Sequence, residues 1–183
     1  PTYKEVCSGT TGHTEAVLVR YDPSNTTYAE LLKYFWKHID PVDAGGQFVD
    51  RGSQYRSAIF YHDDEQKRIA ELSKEALENS GVLDGPVATE ISRATDFYSA
   101  EEYHQGYYKT CSLQYGTYRS GSGRDRTLGN IWDTGSVEKF EAEFDRLRDY
   151  VRGLPPLQCS FTVCTPSPGT ADYLAMRSNF WLV

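Results

Sequence analysis

Gly12-His13-Thr14-Glu15-Ala16-Val17-Leu18-Val19-Arg20-Tyr21 sets a carboxylic acid at the edge of a strongly apolar stretch. Residues 16 to 21 read as a strand buried on both faces, ended by Asp22-Pro23. Downstream, Tyr28, Leu31, Leu32, Phe35, Trp36 and Ile39 recur at the spacing of one helical face. Thr27 and Glu30 form a capping box at its start, and Asp40-Pro41 stops it, because a residue before proline avoids helical geometry. A loop over 42–53 carries Gly45-Gly46 and Gly52. Tyr55 to Tyr61 then read as a second strand centred on Ala58-Ile59-Phe60.

The next helix runs from Asp64 to Asn79, capped by Asp63 with Gln66 and buried through Ile69, Leu72, Ala76 and Leu77. Val87 to Ile91 form a third, shorter strand. Ser99 and Glu102 read as a capping box for a helix carrying Tyr103, His104 and Tyr107. Strands alternating with helices at this spacing argue for an α/β or α+β sandwich. Beyond it, Arg119 to Trp132 mixes a Gly/Ser-rich turn with one short amphipathic stretch, and its three arginines up to Arg126 read as a solvated surface. Val137, Phe140, Phe144, Leu147 and Val151 define one more helix face, over 133–152. From 153 to 183 no period is visible, so this segment is expected to be an irregular C-terminal tail.

At 183 residues the chain has room for one sizeable core and hardly for two. A formal charge of -7 argues against nucleic acid as a partner. No apolar run approaches the ~20 residues of a membrane helix, so no membrane partner is expected. The four cysteines, Cys7, Cys111, Cys159 and Cys164, are too sparse for a disulfide scaffold, and the four histidines are too dispersed for a zinc signature. A reducing compartment, the cytoplasm, is the expected location.

Three side chains invite chemistry. Glu15 at a sheet end is expected to be partly buried; burial raises a carboxyl pKa and suits a general acid at neutral pH. Its ordinary alternative is a strand-edge salt bridge. Asp50 and Tyr55 flank a loop in which Gly52 is free to turn, so a carboxylate and a phenol can converge on a small polar ligand. Their ordinary alternatives are a turn cap and a core aromatic. The residues by themselves specify a polar pocket and no reaction.

Taken together, Pro1-Thr2-Tyr3-Lys4-Glu5-Val6-Cys7-Ser8-Gly9-Thr10-Thr11-Gly12-His13, the Gly12 to Val17 block and Asp50-Arg51-Gly52-Ser53-Gln54-Tyr55-Arg56-Ser57 resemble the peptide methionine sulfoxide reductase A family. The likeness continues through Ser99-Ala100-Glu101-Glu102-Tyr103-His104-Gln105 to about Trp132. It implies an α+β fold, a two-layer αβ sandwich of ferredoxin-like reductase type, over 1–132, with the family's first strand and helix missing from these residues. It implies reduction of the S epimer of methionine sulfoxide in proteins, with no bound cofactor and with thioredoxin or dithiothreitol as reductant. Glu15 corresponds to the acid that protonates the sulfoxide oxygen. Asp50 and Tyr55 correspond to partners that hydrogen-bond the substrate and a bound water.

The family's nucleophile lies in a Gly-Cys-Phe-Trp-Gly segment, and no Cys-Phe-Trp occurs within the 183 residues. Cys159 and Cys164 are candidates for a recycling pair, their ordinary alternative being spare thiols in an unrelated tail. Three readings stay open: part of a working reductase, a remnant that binds methionine sulfoxide without turnover, and an unrelated acidic interaction domain.

Overall fold

A computed structural model of the chain describes residues 2–152, 154, 160–164 and 179–182. The chain opens with α1 (Tyr3–Cys7), then β1 (Glu15–Arg20), α2 (Tyr28–Trp36), the short strands β2 (Gly46–Gln47) and β3 (Asp50–Arg51), and β4 (Ala58–Tyr61). Next come α3 (Asp64–Asn79), β5 (Glu90–Arg93), β6 (Tyr98–Ser99), α4 (Tyr107–Thr110), α5 (Ser112–Gly121), α6 (Arg124–Ile131) and α7 (Thr134–Arg152). Two further strands close the series, β7 (Ser160–Cys164) and β8 (Asn179–Leu182).

One sheet has the order β5-β4-β7-β1-β8-β6, and β2 and β3 form a separate hairpin. β4 and β5 pair in parallel across the α3 crossover, whereas the other pairs of the main sheet are antiparallel. The fold is α+β. Helices α2, α3 and α7 pack with Val17, Val19 and Ile59 in one large apolar cluster on one side of the sheet. Alternation along the strands sends Ala16, Ala58 and Phe60 into a second, smaller cluster with Ala94 and Phe97.

The helical layer follows the sequence period closely. Leu32, Phe35, Trp36, Ile69, Leu77 and Phe140 are fully buried. Each contributes about 1.5–3 kcal/mol by leaving water. The indole nitrogen of Trp36 donates to Ser73 Oγ at 3.0 Å, so this bulky side chain enters the core without an orphaned donor. The caps also form: Thr27 Oγ1 accepts from the Glu30 amide at 3.2 Å, and an Asp63 carboxylate oxygen accepts from the Gln66 amide at 2.7 Å.

Several sequence expectations change, among them the strand expected from Tyr55, which begins at Ala58 because Ser53–Tyr55 form a 3-10 turn. The strand beginning with Ala16 includes Glu15, which pairs with Leu182. The strand expected over Val87 to Ile91 starts later, at Glu90, because Val87 packs into the core and Ala88 donates to the Pro41 carbonyl. Ser99 caps no helix, since its backbone pairs with Trp181 in the ladder; a 3-10 turn follows at Glu102–His104 with Glu101 before it. The expected irregular tail supplies two strands, and β7 lies in the sheet between β1 and β4. Cys159 lies outside the described residues, and Cys164 stands opposite Ala58 at the end of β7. Among the described residues no helix is long and apolar enough to cross a membrane.

Candidate active site

Glu15 is the first residue of β1 and is only 4% exposed. A carboxyl at that depth has lost most of its hydration, and its Oε1 has no hydrogen-bond partner among the described residues. Burial, reinforced by the charge of Asp50 and opposed by a hydrogen bond from Tyr55, pushes its pKa up to about 7. An acid with that pKa is half protonated at neutral pH, which is where a proton donor works best.

Asp50 and Tyr55 reach this carboxyl from a tightly folded loop. Gly46, at φ 143°, makes the hairpin possible: a Cβ there would lie 2.2 Å from the Asp50 carbonyl oxygen. Gly52 has φ 124°, and a Cβ on it would meet Gln54 Oε1 at 2.5 Å. The loop is pinned from both sides. Gln47, fully buried, accepts from the Asp40 amide and donates to the Asp40 carbonyl, each at 2.8 Å. Gln54 Nε2 donates to the Cys7 carbonyl at 3.2 Å, tying the end of α1 to the 3-10 turn Ser53–Tyr55.

Tyr55 is shifted upward by burial and by the neighbouring Glu15, Cys7 and Asp50, and a hydrogen bond to the Cys7 side chain adds to the shift. Its phenol therefore stays protonated through the physiological range and serves as a hydrogen-bond donor. Cys7 is a free, half-buried thiol. The structure thus brings Glu15, Asp50 and Tyr55 into one cluster at the start of β1 and sets Cys7 against it. Cys111 is also a free thiol, in the segment between α4 and α5.

Two residues of this neighbourhood carry no sequence signal. Tyr118 donates its hydroxyl hydrogen bond to Asp50 Oδ2 from α5, across 68 positions of sequence. Arg124, at the start of α6, is 4% exposed rather than solvated, with its guanidinium 4.5 Å from the centroid of the Phe48 ring. Its neighbour Arg119 pairs with Asp125 at 3.1 Å. Tyrosine is too common here, 14 of 183 residues, for one to stand out, and a Gly/Ser-flanked arginine reads as surface. Among the described residues no three His, Cys, Asp or Glu side chains gather as a metal site would need.

Comparison with known proteins fits this arrangement. The model of the family described as peptide methionine sulfoxide reductase matches residues 1–136. Peptide methionine sulfoxide reductase MsrA of Bacillus velezensis is 56% identical over 132 residues, covering 72% of this chain and 75% of the relative. The proteins of the same name from Bacillus licheniformis and Bacillus subtilis are each 54% identical over 132 residues, with 73% and 75% of their own lengths covered. With the matched residues spanning α1, β1, the hairpin and the whole Glu15, Asp50 and Tyr55 cluster, the chain belongs to the peptide methionine sulfoxide reductase family.

Proposed function

We propose that this chain is a peptide-methionine (S)-S-oxide reductase, an oxidoreductase repairing oxidised methionine in proteins, in which Glu15 is the general acid. The carrying observation is the buried Glu15 carboxyl, raised to about 7 and flanked by Asp50 and Tyr55. A sulfoxide oxygen is a poor leaving group until it is protonated. As a thiolate attacks the sulfur, Glu15 delivers the proton, and Asp50 and Tyr55 hold the substrate and a water by hydrogen bonds. The S–O bond to the methionine sulfur and the transient S–S bond break as the oxygen passes, with its proton, to the attacking sulfur; methionine leaves with the electron pair, and the cysteine is oxidised to a sulfenic acid. A second thiol then condenses with it to a disulfide and water, and thioredoxin, or dithiothreitol in the test tube, restores both thiols.

Carboxyl and phenol groups carry no reducing electrons; the pair must come from sulfur. In this reading the attacking thiol belongs to the family's Gly-Cys-Phe-Trp-Gly segment, which residues 1–183 do not contain. Residues 1–183 therefore supply the acid and the orienting groups. Cys159 and Cys164 are the candidate recycling pair.

The test is methionine formation with dithiothreitol, measured on residues 1–183 alone and on the same residues with that segment fused ahead of Pro1. The fused protein should reduce the S sulfoxide of a capped methionine peptide and spare the R epimer, while residues 1–183 alone should not exceed a no-enzyme control. A fused protein that folds and leaves both epimers untouched would overturn the proposal. Turnover by residues 1–183 alone, abolished by alkylation, would instead assign the attack to a cysteine within them.

A further inference from the structure

We propose that Tyr118 and Arg124 are positioning residues for Asp50, locking the hairpin that carries it so that one carboxylate oxygen faces the ligand in a fixed direction. The proposal rests on the reading of the site given above and extends it to α5 and α6. Three observations converge. Tyr118 donates to Asp50 Oδ2, so that in this proposal Oδ1 is the oxygen offered to a ligand. Phe48, two residues before Asp50 in the hairpin turn, has φ 54°, a left-handed conformation that a phenylalanine holds only when its surroundings enforce it. Arg124 lies against the Phe48 ring and donates through Nη1 to the His38 carbonyl at 2.9 Å.

Arg124 thus bridges the turn after α2 to the hairpin turn. Burial presses its pKa down to about 10, so it remains a cation at neutral pH. A cation held over an aromatic face and kept from water is attracted strongly to that ring. The same positive charge is opposed by Arg119 and interacts favourably with Asp50. Its backbone is fixed as well: the Arg124 amide donates to Ser122 Oγ at 3.3 Å, and that hydroxyl donates to the Arg119 carbonyl at 2.8 Å. The turn between α5 and α6 therefore presents Tyr118 and Arg124 to the hairpin as one unit.

A double-mutant cycle tests this. The probe is a capped peptide carrying the S sulfoxide of methionine, titrated by NMR into residues 1–183. Tyr118→Phe should weaken binding about tenfold, and Asp50→Asn by at least as much. The double variant should bind no more weakly than Asp50→Asn alone, because Tyr118 acts through Asp50; a merely structural tyrosine would multiply its loss onto the other. Arg124→Lys keeps the charge and loses the planar fork, so it should weaken binding about threefold while leaving the fold intact by its amide spectrum. Multiplying losses, or Tyr118→Phe within twofold of the parent protein, overturns the proposal. Absence of binding by the parent chain itself overturns the reading of the site, and this inference with it.

Discussion

Two carboxylates meet at one site from different kinds of structure. Glu15 sits at the start of a sheet strand, opposite Leu182 of β8, shielded from water and with Oε1 lacking a partner among the described residues. Asp50 sits, half-buried, on a two-stranded hairpin and receives a phenolic hydrogen bond from Tyr118. The sheet deprives its acid of solvation; the hairpin supplies its acid with a donor. Environments that differ in this way can set two carboxyl groups to different tasks without changing the chemistry of either, which is the division of labour proposed above. Moreover, the two are coupled, because the Asp50 charge is one cause of the raised Glu15 pKa.

The largest effect should come from breaking the donor side. In the protein with its attacking segment fused, Glu15→Gln should lower the rate of sulfoxide reduction by about 100-fold to 10,000-fold, the usual worth of general acid catalysis. The alkaline limb of its pH profile should vanish, since the group that titrates there is gone. A rate within about threefold of the parent, with chemistry still limiting, returns Glu15 to the role of a strand-edge carboxylate.

Breaking the orienting side should cost less. Asp50→Asn and Tyr55→Phe should each lower the rate by about tenfold, as removal of a hydrogen bond to a bound ligand does. They should move the alkaline limb in opposite directions. Asn in place of Asp50 removes a charge that raises the Glu15 pKa, so the limb should shift to lower pH. Phe in place of Tyr55 removes a hydrogen bond that lowers it, so the limb should shift to higher pH. Limbs that stay in place in both variants would show that the two sides are not coupled.

Stability gives the least catalytic readout. Between the ordinary carboxyl value of 4.5 and about 7, the folded protein binds the Glu15 proton more tightly than the unfolded chain does. This contribution is fully present below the lower value and is lost as pH rises through the higher one, at most about 3 kcal/mol. Glu15→Gln removes the dependence. Relative to the parent, the variant should therefore melt higher at pH 8 than at pH 5, and a difference that does not change between those pH values would argue that Glu15 is well solvated in the fold.

The same contrast explains what could be read from sequence. The helical layer is encoded locally: the Asp63 cap, the Asp64–Asn79 span and the Phe140, Phe144, Leu147 and Val151 face lie where their periods put them. β7 and β8 are encoded by their partners. Ser160–Cys164 lies in the lane between β1 and β4, about a hundred or more residues earlier; the alternation of Phe161 and Val163 with polar neighbours hints at a strand but not at its partners. At the site, the motif blocks pointed to Glu15, Asp50 and Tyr55, and the fold gathers them. Tyr118 and Arg124 were invisible because their importance lies in what they touch across 68 and 86 positions, and neither residue type marks such a contact.

Titration of the Glu15 side-chain carboxyl by carbon-13 NMR tests the central claim most directly. The account predicts a carboxyl that titrates near pH 7 in the folded protein and moves to lower pH in Asp50→Asn. A Glu15 carboxyl that titrates near 4.5 and does not respond to Asp50→Asn would contradict it.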